Sequence, residues 1–147
     1  QNYGASKLER IHDGYRKGVM VSILYGAFAC VVMVFFGRIL SMMFVSANES
    51  QVLNASALYL RRMGYFYPIL GILITTRMSV QGLGYSARAM LAGFVEMIAR
   101  CIVALCFAPI FKYNAITWAD QTAWVAATLV LIPLWISTMR MVQKKMC

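Results

Sequence analysis

The sequence predicts an all-α membrane protein with four transmembrane helices, and three observations lead to that fold class. Hydrophobic residues make up 61% of the 147 positions and charged residues only 13%, whereas soluble domains average about 45–50% and 25%. Long uncharged runs recur along the chain, and about 20 apolar residues in a helix cross a hydrocarbon core. Basic residues gather beside these runs. A surface of this composition fits lipid better than water.

The first predicted span covers residues 18–45. Its uncharged run ends at Gly37, and beyond Arg38 an apolar stretch continues toward the membrane interface. The polar residues 46–50 then predict a turn. Ser50 or Asn54 is the expected N-cap of the helix that follows, since both side chains accept hydrogen bonds from backbone N–H groups.

The second predicted span covers residues 63–80, after an amphipathic lead-in over residues 52–62. Pro68 lies inside the span, where it removes a backbone donor and permits a bend. Gly82 and Gly84 predict a tight turn at its end. The candidate hinge residues are therefore Pro68, Gly71, Gly82 and Gly84.

The third predicted span covers residues 89–111 and carries both Glu96 and Arg100. A polar loop over residues 112–120 separates it from the fourth span, the uncharged run 121–139. Four spans place both termini on the same side of the membrane.

The distribution of positive charge predicts which side that is. Nine of the 14 Lys and Arg residues lie before the first span, near the turn between the second and third spans, or after the fourth. Positive residues favour the cytoplasmic side, so both termini are expected there. Trp118 and Trp124 near one end of the fourth span and Trp135 nearer the other are expected to form aromatic belts at the two interfaces.

Glu96 is the carboxylate that lies inside a predicted span. A charge at the membrane centre costs about 2.5–3.5 kcal/mol on insertion scales, so its retention calls for a reason. Arg100 is four residues later on the same helix face, where the two side chains can pair. Glu96 is then either half of a structural ion pair or a site that binds a proton or another cation. If the pair is only structural, exchanging Glu96 and Arg100 together for Gln and Met should leave activity nearly intact.

Arg77 is the other charged candidate near a span. At the cytoplasmic end of the second span it is expected to extend toward lipid phosphates, and the alternative is that it braces the glycine-rich turn beside it. Glu96, Arg100 and Arg77 are therefore the candidates for transport and ion coupling.

Other site chemistry finds no support in the sequence. Cys30, Cys101, Cys106, Cys147 and His12 show no metal-ligand spacing. We see no nucleophile–base pair and no phosphate loop, so we expect no catalytic, cofactor-binding or metal site and no enzyme. The net charge is +9, and most of the basic residues behind it lie beside apolar runs. They do not form the basic, aromatic-containing surface of a soluble nucleic-acid-binding domain, so a nucleic-acid partner is not expected.

A series of short motifs extends over nearly the whole chain. In order, they are QNYGA at residues 1–5 with Lys7 and Arg10, FGR at 36–38 with Leu40 and Phe44, YLR at 59–61, FYP at 66–68, Arg77 with QGLG at 81–84, ML at 90–91, and Glu96 with Arg100. This series resembles the multidrug and toxic compound extrusion (MATE) transporters in both order and spacing.

The resemblance implies a transporter of two related six-helix bundles with a substrate cavity between them. The chain is then expected to be the last four helices of the C-terminal bundle, in the plasma (inner) membrane. The implied function is proton- or sodium-driven export of drugs and organic cations, without a cofactor, in contact with lipid and with the remaining helices of the full-length transporter. Two departures concern coupling. The second span lacks the carboxylate that several members have there, and Tyr85 stands where an Asp is usual.

Two alternative functions remain open at this point. A lipid-linked sugar flippase of the same superfamily would share the bundle, but its cavity would be expected to carry more cationic residues. A small four-helix drug exporter acting as a dimer would place its essential Glu in the first span, whereas Glu96 lies in the third.

Overall fold

The structure, a computed structural model, describes residues 1–146, and Cys147 lies outside them. Within this range the chain is helical and contains no strand. The elements in chain order are α1 (Leu8–Met42), α2 (Ser50–Gly82), α3 (Ser86–Ile102), a π-helical segment (Val103–Phe107), α4 (Ala108–Phe111), α5 (Tyr113–Ile116) and α6 (Ala119–Met146). The predicted class, an all-α membrane protein, is confirmed.

Three helical stretches are long and apolar enough to cross a membrane: Leu8–Met42, Ser86–Phe111 and Tyr113–Met146. The second predicted span is less apolar and is not among them. It belongs to α2, which has 33 residues and contacts α1, α3 and α6. A helix that other helices cover can carry more polar residues than one that lipid surrounds.

The first helix begins earlier than predicted. Residues 8–17, which lie before the predicted span, are the first turns of α1. Leu8, Ile11 and Tyr15 lie on one face of these turns and pack against the buried core. On the exposed side, Lys17 pairs with Asp13 at 2.8 Å. The charges before the predicted span therefore mark the solvent face of an amphipathic helical extension.

Glycines bring α1 and α2 into close antiparallel contact. A Cβ atom on Gly26 would lie 2.7 Å from the Cα of Pro68, and one on Gly71 would lie 2.8 Å from the carbonyl oxygen of Ser22. Toward the helix ends, Gly18 faces Thr75 and Gly37 faces Leu60. Small residues at these points let the two backbones approach, as in many membrane helix pairs. The contacts continue from Gly18 to Gly37, so α2 lies alongside α1 over this whole length.

The N-cap residue of α2 differs from the two that were predicted. The lead-in and the second span form one continuous helix, and the N-cap position is Glu49, which makes no capping hydrogen bond through its side chain. Neither Ser50 nor Asn54 is the cap. Both residues lie inside the helix, Ser50 at its first position.

The predicted glycine turn between α2 and α3 is confirmed. Gly84 has φ +87°, and its N–H donates to the carbonyl of Gln81 at 2.9 Å. The N–H of Tyr85 donates to the carbonyl of Val80 at 3.2 Å. This pair of bonds is a Schellman motif, in which a glycine in the left-handed region ends the helix and satisfies its last carbonyls.

The third span contains a π-helical segment, Val103–Phe107, which ends two residues before Pro109. Proline has no N–H to donate to the carbonyl four residues earlier, and such a break in the ladder is a common place for wider helical turns. The chain reverses at Lys112, whose φ is +50°. Part of the predicted loop is helical, since it contains α5 and the first turn of α6.

The core lies where α6 packs against α2 and α3. Small Ala89 and Ala92 on α3 are almost fully buried, and Leu73 and Val80 of α2 lie in the same cluster. The aromatic-belt prediction is wrong for two of its three residues. Trp124 and Trp135 are each only 5% exposed and belong to this core. Rings of α2 and α1 cover them: Tyr67 lies edge-on to Trp124 at 6.1 Å, and Tyr15 stacks on Trp135 at 4.3 Å.

Both termini lie at the same end of the bundle. The first turns of α1 meet the second half of α6 where Tyr15 stacks on Trp135. Near the C-terminus, the ammonium of Lys145 lies 5.5 Å from the ring centre of Tyr85 in the α2–α3 turn. We call this the terminal end, and the α1–α2 connection with α5 the opposite end.

Candidate functional site

Glu96 is held on the face of α3 that packs against the bundle. It follows Ala89 and Ala92 at helical spacing, and all three residues are buried. Their small side chains let α3 lie close to its neighbours, which takes the Glu96 carboxylate out of solvent: only 11% of its side chain is exposed. A carboxylate in this position requires cationic or hydrogen-bonding partners.

Two arginines supply these partners. A terminal nitrogen of Arg77 on α2 contacts Oε1 of Glu96. A terminal nitrogen of Arg100 lies 3.4 Å from Oε2, so the ion pair predicted from the four-residue spacing is present. The expectation that Arg77 extends toward lipid phosphates is wrong. The antiparallel return through the Schellman turn brings Arg77 opposite Glu96, and a buried carboxylate attracts the guanidinium more strongly than the exposed interface does.

Asp120 is the site residue that sequence reasoning missed. It lies in the first turn of α6, where its Oδ1 accepts a hydrogen bond of 2.9 Å from Nε of Arg100. Its Oδ2 accepts a second bond, of 2.8 Å, from the hydroxyl of Tyr59 on α2. In the sequence, Asp120 lies directly before the uncharged fourth run, which could have marked it as a site residue. The prediction placed it instead in the polar loop over residues 112–120.

The four charged residues form one network, which we call the charged chain: Arg77, Glu96, Arg100 and Asp120. It joins α2, α3 and α6, with Tyr59 at its far end. Two guanidinium groups oppose two carboxylates, so the net charge of the chain is zero. Mutual neutralisation lowers the cost of keeping four charges among apolar helices.

A second polar cluster ties α2 to the loop at the opposite end. Arg62 donates to the hydroxyl of Thr117 and to the side-chain oxygen of Asn114, the latter at 3.2 Å. Its guanidinium also lies 5.3 Å from the ring centre of Trp118. The hydroxyl of Tyr113 donates to the carbonyl of Ala55 at 2.7 Å. These contacts fix the short α5 and therefore the start of α6, from which Asp120 projects.

The candidate hinge residues lie at two different places. Pro68 and Gly71 are at the closest approach of α1 and α2. Gly82 is the last residue of α2, and Gly84 provides the positive φ of the turn. Close helix contact explains the glycine at position 71, and the positive φ explains the one at position 84. The hinge role of all four residues stays a prediction.

The site has the chemistry of ion pairing between buried and partly buried side chains of three helices. Within residues 1–146, no group of three or more His, Cys, Asp or Glu side chains is arranged to hold a metal ion.

Comparison with known proteins identifies the family. The MatE family model matches residues 1–106, which include α1, α2, α3 and most of the π-helical segment. Comparison with curated proteins and with solved structures gave no match. The match covers more than half of a chain built from membrane-spanning helices, and the chain therefore belongs to the MatE family of membrane transporters.

Proposed function

We propose that this chain is part of a cation-coupled efflux antiporter that exports drugs or other organic cations in exchange for protons or sodium ions. The observation that carries the proposal is the family match over residues 1–106. A transporter of this family with a cavity between two bundles works by alternating access, which needs helices that pack as rigid units around the site.

The chain is proposed to form the last four helices of the C-terminal bundle. The order of the motifs supports this assignment, since the QNYGA segment precedes α1 and the QGLG motif ends α2. The apolar side chains that α1 exposes are consistent with further helices and lipid around it: Met20, Leu24, Phe28 and Phe35 are all more than half exposed. The substrate cavity would then lie against the other bundle.

Within the proposed transporter, Glu96 is the candidate for cation coupling, and Arg77 and Arg100 modulate it. Arg77 and Arg100 contact its two oxygens, so a coupling cation could bind there only after at least one arginine moves away. Arginines that exchange partners between two states of the transport cycle would link cation binding to helix movement.

The flippase alternative is less well supported. A pyrophosphate-linked substrate needs cationic groups that are free to bind it. Arg77 and Arg100 are instead engaged by Glu96 and Asp120. The four-helix dimer alternative still conflicts with the position of the carboxylate. Such an exporter would place its essential Glu on the first helix, whereas Glu96 lies on α3.

The proposed function is tested with the full-length transporter in liposomes. An imposed proton or sodium gradient should drive uptake of a fluorescent organic cation into inside-out vesicles, and collapse of that gradient by an ionophore should stop it. The 147-residue chain alone in matched liposomes should not transport. Gradient-driven export by this chain alone would favour the dimeric exporter, and transport of lipid-linked sugar without cation export would favour the flippase.

A further inference from the structure

Two basic side chains from different helices meet at the ring of Tyr85, in the turn between α2 and α3. The guanidinium carbon of Arg88 lies 5.7 Å from the ring centre, and the ammonium of Lys145 lies 5.5 Å from it. Arg88 belongs to the first turn of α3 and Lys145 to the last turn of α6. The two helices therefore bring two positive charges to one point of the terminal end.

Neither of these charges is balanced by a carboxylate. In the part of the chain that the structure describes, residues 1–146, neither Arg88 nor Lys145 forms an ion pair. The guanidinium of Arg88 donates instead to the hydroxyls of Ser137, at 3.2 Å, and Thr138, at 3.3 Å. These neutral acceptors fix its orientation and leave its positive charge in place.

The backbone adds to the positive potential at the same point. The helix α3 has 17 residues, and its N-cap residue, Tyr85, makes no capping hydrogen bond through its side chain. The first N–H groups of a helix carry partial positive charge and favour a nearby anion. Two like charges held against one ring also repel each other, and a bound anion relieves that repulsion.

The surface next to the two cations indicates where the anion comes from. The helices that carry them, α3 and α6, belong to stretches that are long and apolar enough to cross a membrane. Leu91 and Ile98 follow Arg88 by three and ten positions on the same side of α3, and each is about half exposed. A phosphate beside the cations is therefore continuous with an apolar surface that acyl chains can cover.

We propose that Tyr85, Arg88 and Lys145 form a binding site for the phosphate group of an anionic phospholipid, whose acyl chains lie along the exposed face of α3. Basic pockets between membrane-spanning helices suit such headgroups. The ring of Tyr85 attracts both cations and keeps them beside the phosphate. The bound lipid ties the α2–α3 turn to the end of α6. The site is separate from the charged chain, and the inference does not rest on the proposed transport function.

The test uses the full-length transporter in liposomes that contain a small fraction of phosphatidylglycerol with a photoreactive group in one acyl chain. After illumination, mass spectrometry measures the fraction of the α3 peptide that carries the lipid. Phosphatidylglycerol should label this peptide more than phosphatidylcholine with the same photoreactive chain, because only phosphatidylglycerol has a net negative charge. Equal labelling by the two lipids would contradict the proposal.

Competition distinguishes a lipid from a free phosphate ion. Excess phosphatidylglycerol without the photoreactive group should suppress the labelling. Inorganic phosphate should leave it unchanged, because the ion has no acyl chains to add to its affinity. Loss of labelling in inorganic phosphate would show a site for the free ion and would overturn the assignment to a lipid.

A pair of lysine variants tests the site itself. At lipid fractions below saturation, Lys145→Gln should reduce labelling about fivefold, the effect of one basic residue at the membrane surface. Lys17→Gln is the matched control, because Lys17 is also exposed at the terminal end but already pairs with Asp13 at 2.8 Å. Its labelling should match that of the wild type. Wild-type labelling in Lys145→Gln, or an equal loss in both variants, would refute a specific site.

The role of the ring has its own pair of variants. Tyr85→Phe keeps an aromatic face for both cations and should retain the labelling. Tyr85→Leu keeps an apolar side chain against the core but removes that face, so its labelling should fall. Lys145→Glu changes only an exposed side chain and should lower labelling further than Lys145→Gln, since it places a carboxylate beside the phosphate. A Lys145→Glu variant that labels as strongly as the wild type would exclude the proposed contact.

Discussion

At the scale of single residues, the structure changes which charges belong together. The sequence paired Glu96 with Arg100 because they are four residues apart. The charged chain instead contains two pairs that join different helices, Arg77 with Glu96 and Arg100 with Asp120, and the contact between Glu96 and Arg100 links them. We therefore expect that the exchange of Glu96 and Arg100 for Gln and Met is not neutral, because it leaves Arg77 and Asp120 without their ionic partners.

This pairing predicts an order of stabilities. Arg77→Met should lower the free energy of unfolding by about 3 kcal/mol, since it leaves the buried Glu96 with one distant cation. Adding Glu96→Gln to Arg77→Met should recover part of that loss, because the remaining pair of Arg100 and Asp120 stays intact. Thermal unfolding of the purified variants in detergent measures the order.

The matched control for this series is Arg38→Met on α1, where the arginine is exposed; it should change stability little. If the Glu96→Gln/Arg100→Met variant proves more stable than Arg77→Met/Glu96→Gln, the pairing that we describe is incorrect.

At the scale of helices, the contact between α1 and α2 depends on glycine. Gly26→Ala should destabilise the protein, because the new Cβ would meet the backbone of Pro68 at 2.7 Å, and backbone atoms cannot move aside as a flexible side chain can. The same change at Gly14, also in α1, meets nothing within 4 Å. It should be neutral or stabilising by up to about 1 kcal/mol, the helix preference of Ala over Gly.

Detergent unfolding midpoints of the two alanine variants provide the comparison. Equal midpoints for Gly26→Ala and Gly14→Ala would mean that α1 and α2 are not in the close contact described here. The comparison is independent of transport, so it tests the helix packing alone.

At the scale of the whole molecule, the two ends of the bundle differ in charge. The terminal end collects the basic residues of the early α1 turns, the α2–α3 turn and the end of α6, and we propose that it faces the cytoplasm. A cysteine introduced at exposed Ser50 should then react with an impermeant thiol reagent from outside the cell. One introduced at exposed Gln143 should react only after the membrane is permeabilised.

These labelling experiments need a background without the native cysteines. Labelling of position 143 in intact cells, with position 50 protected, would invert the proposed orientation. The placement of both termini at one end of the bundle would remain, because it follows from contacts inside the bundle.

The sequence by itself determined the membrane class, the family, the glycine turn after α2 and the helical ion pair of Glu96 with Arg100. Each of these depends on composition, on spacing within one helix or on a contiguous motif, which are properties of neighbouring residues. The sequence was misleading for the charged start of α1, because a run of charges looks the same in a loop and on the solvent face of a helix.

Only the tertiary structure decided the partners that come from other helices. Arg77 faces Glu96 because the α2–α3 turn folds the two helices against each other, and Asp120 reaches Arg100 because α5 fixes the start of α6. Trp124 and Trp135 are buried for the same kind of reason, since rings of α2 and α1 cover them. Residues 19 to 120 positions apart along the chain become neighbours through helix packing. The sequence carries no periodic signal for such contacts, because their geometry depends on how several helices fit together at once.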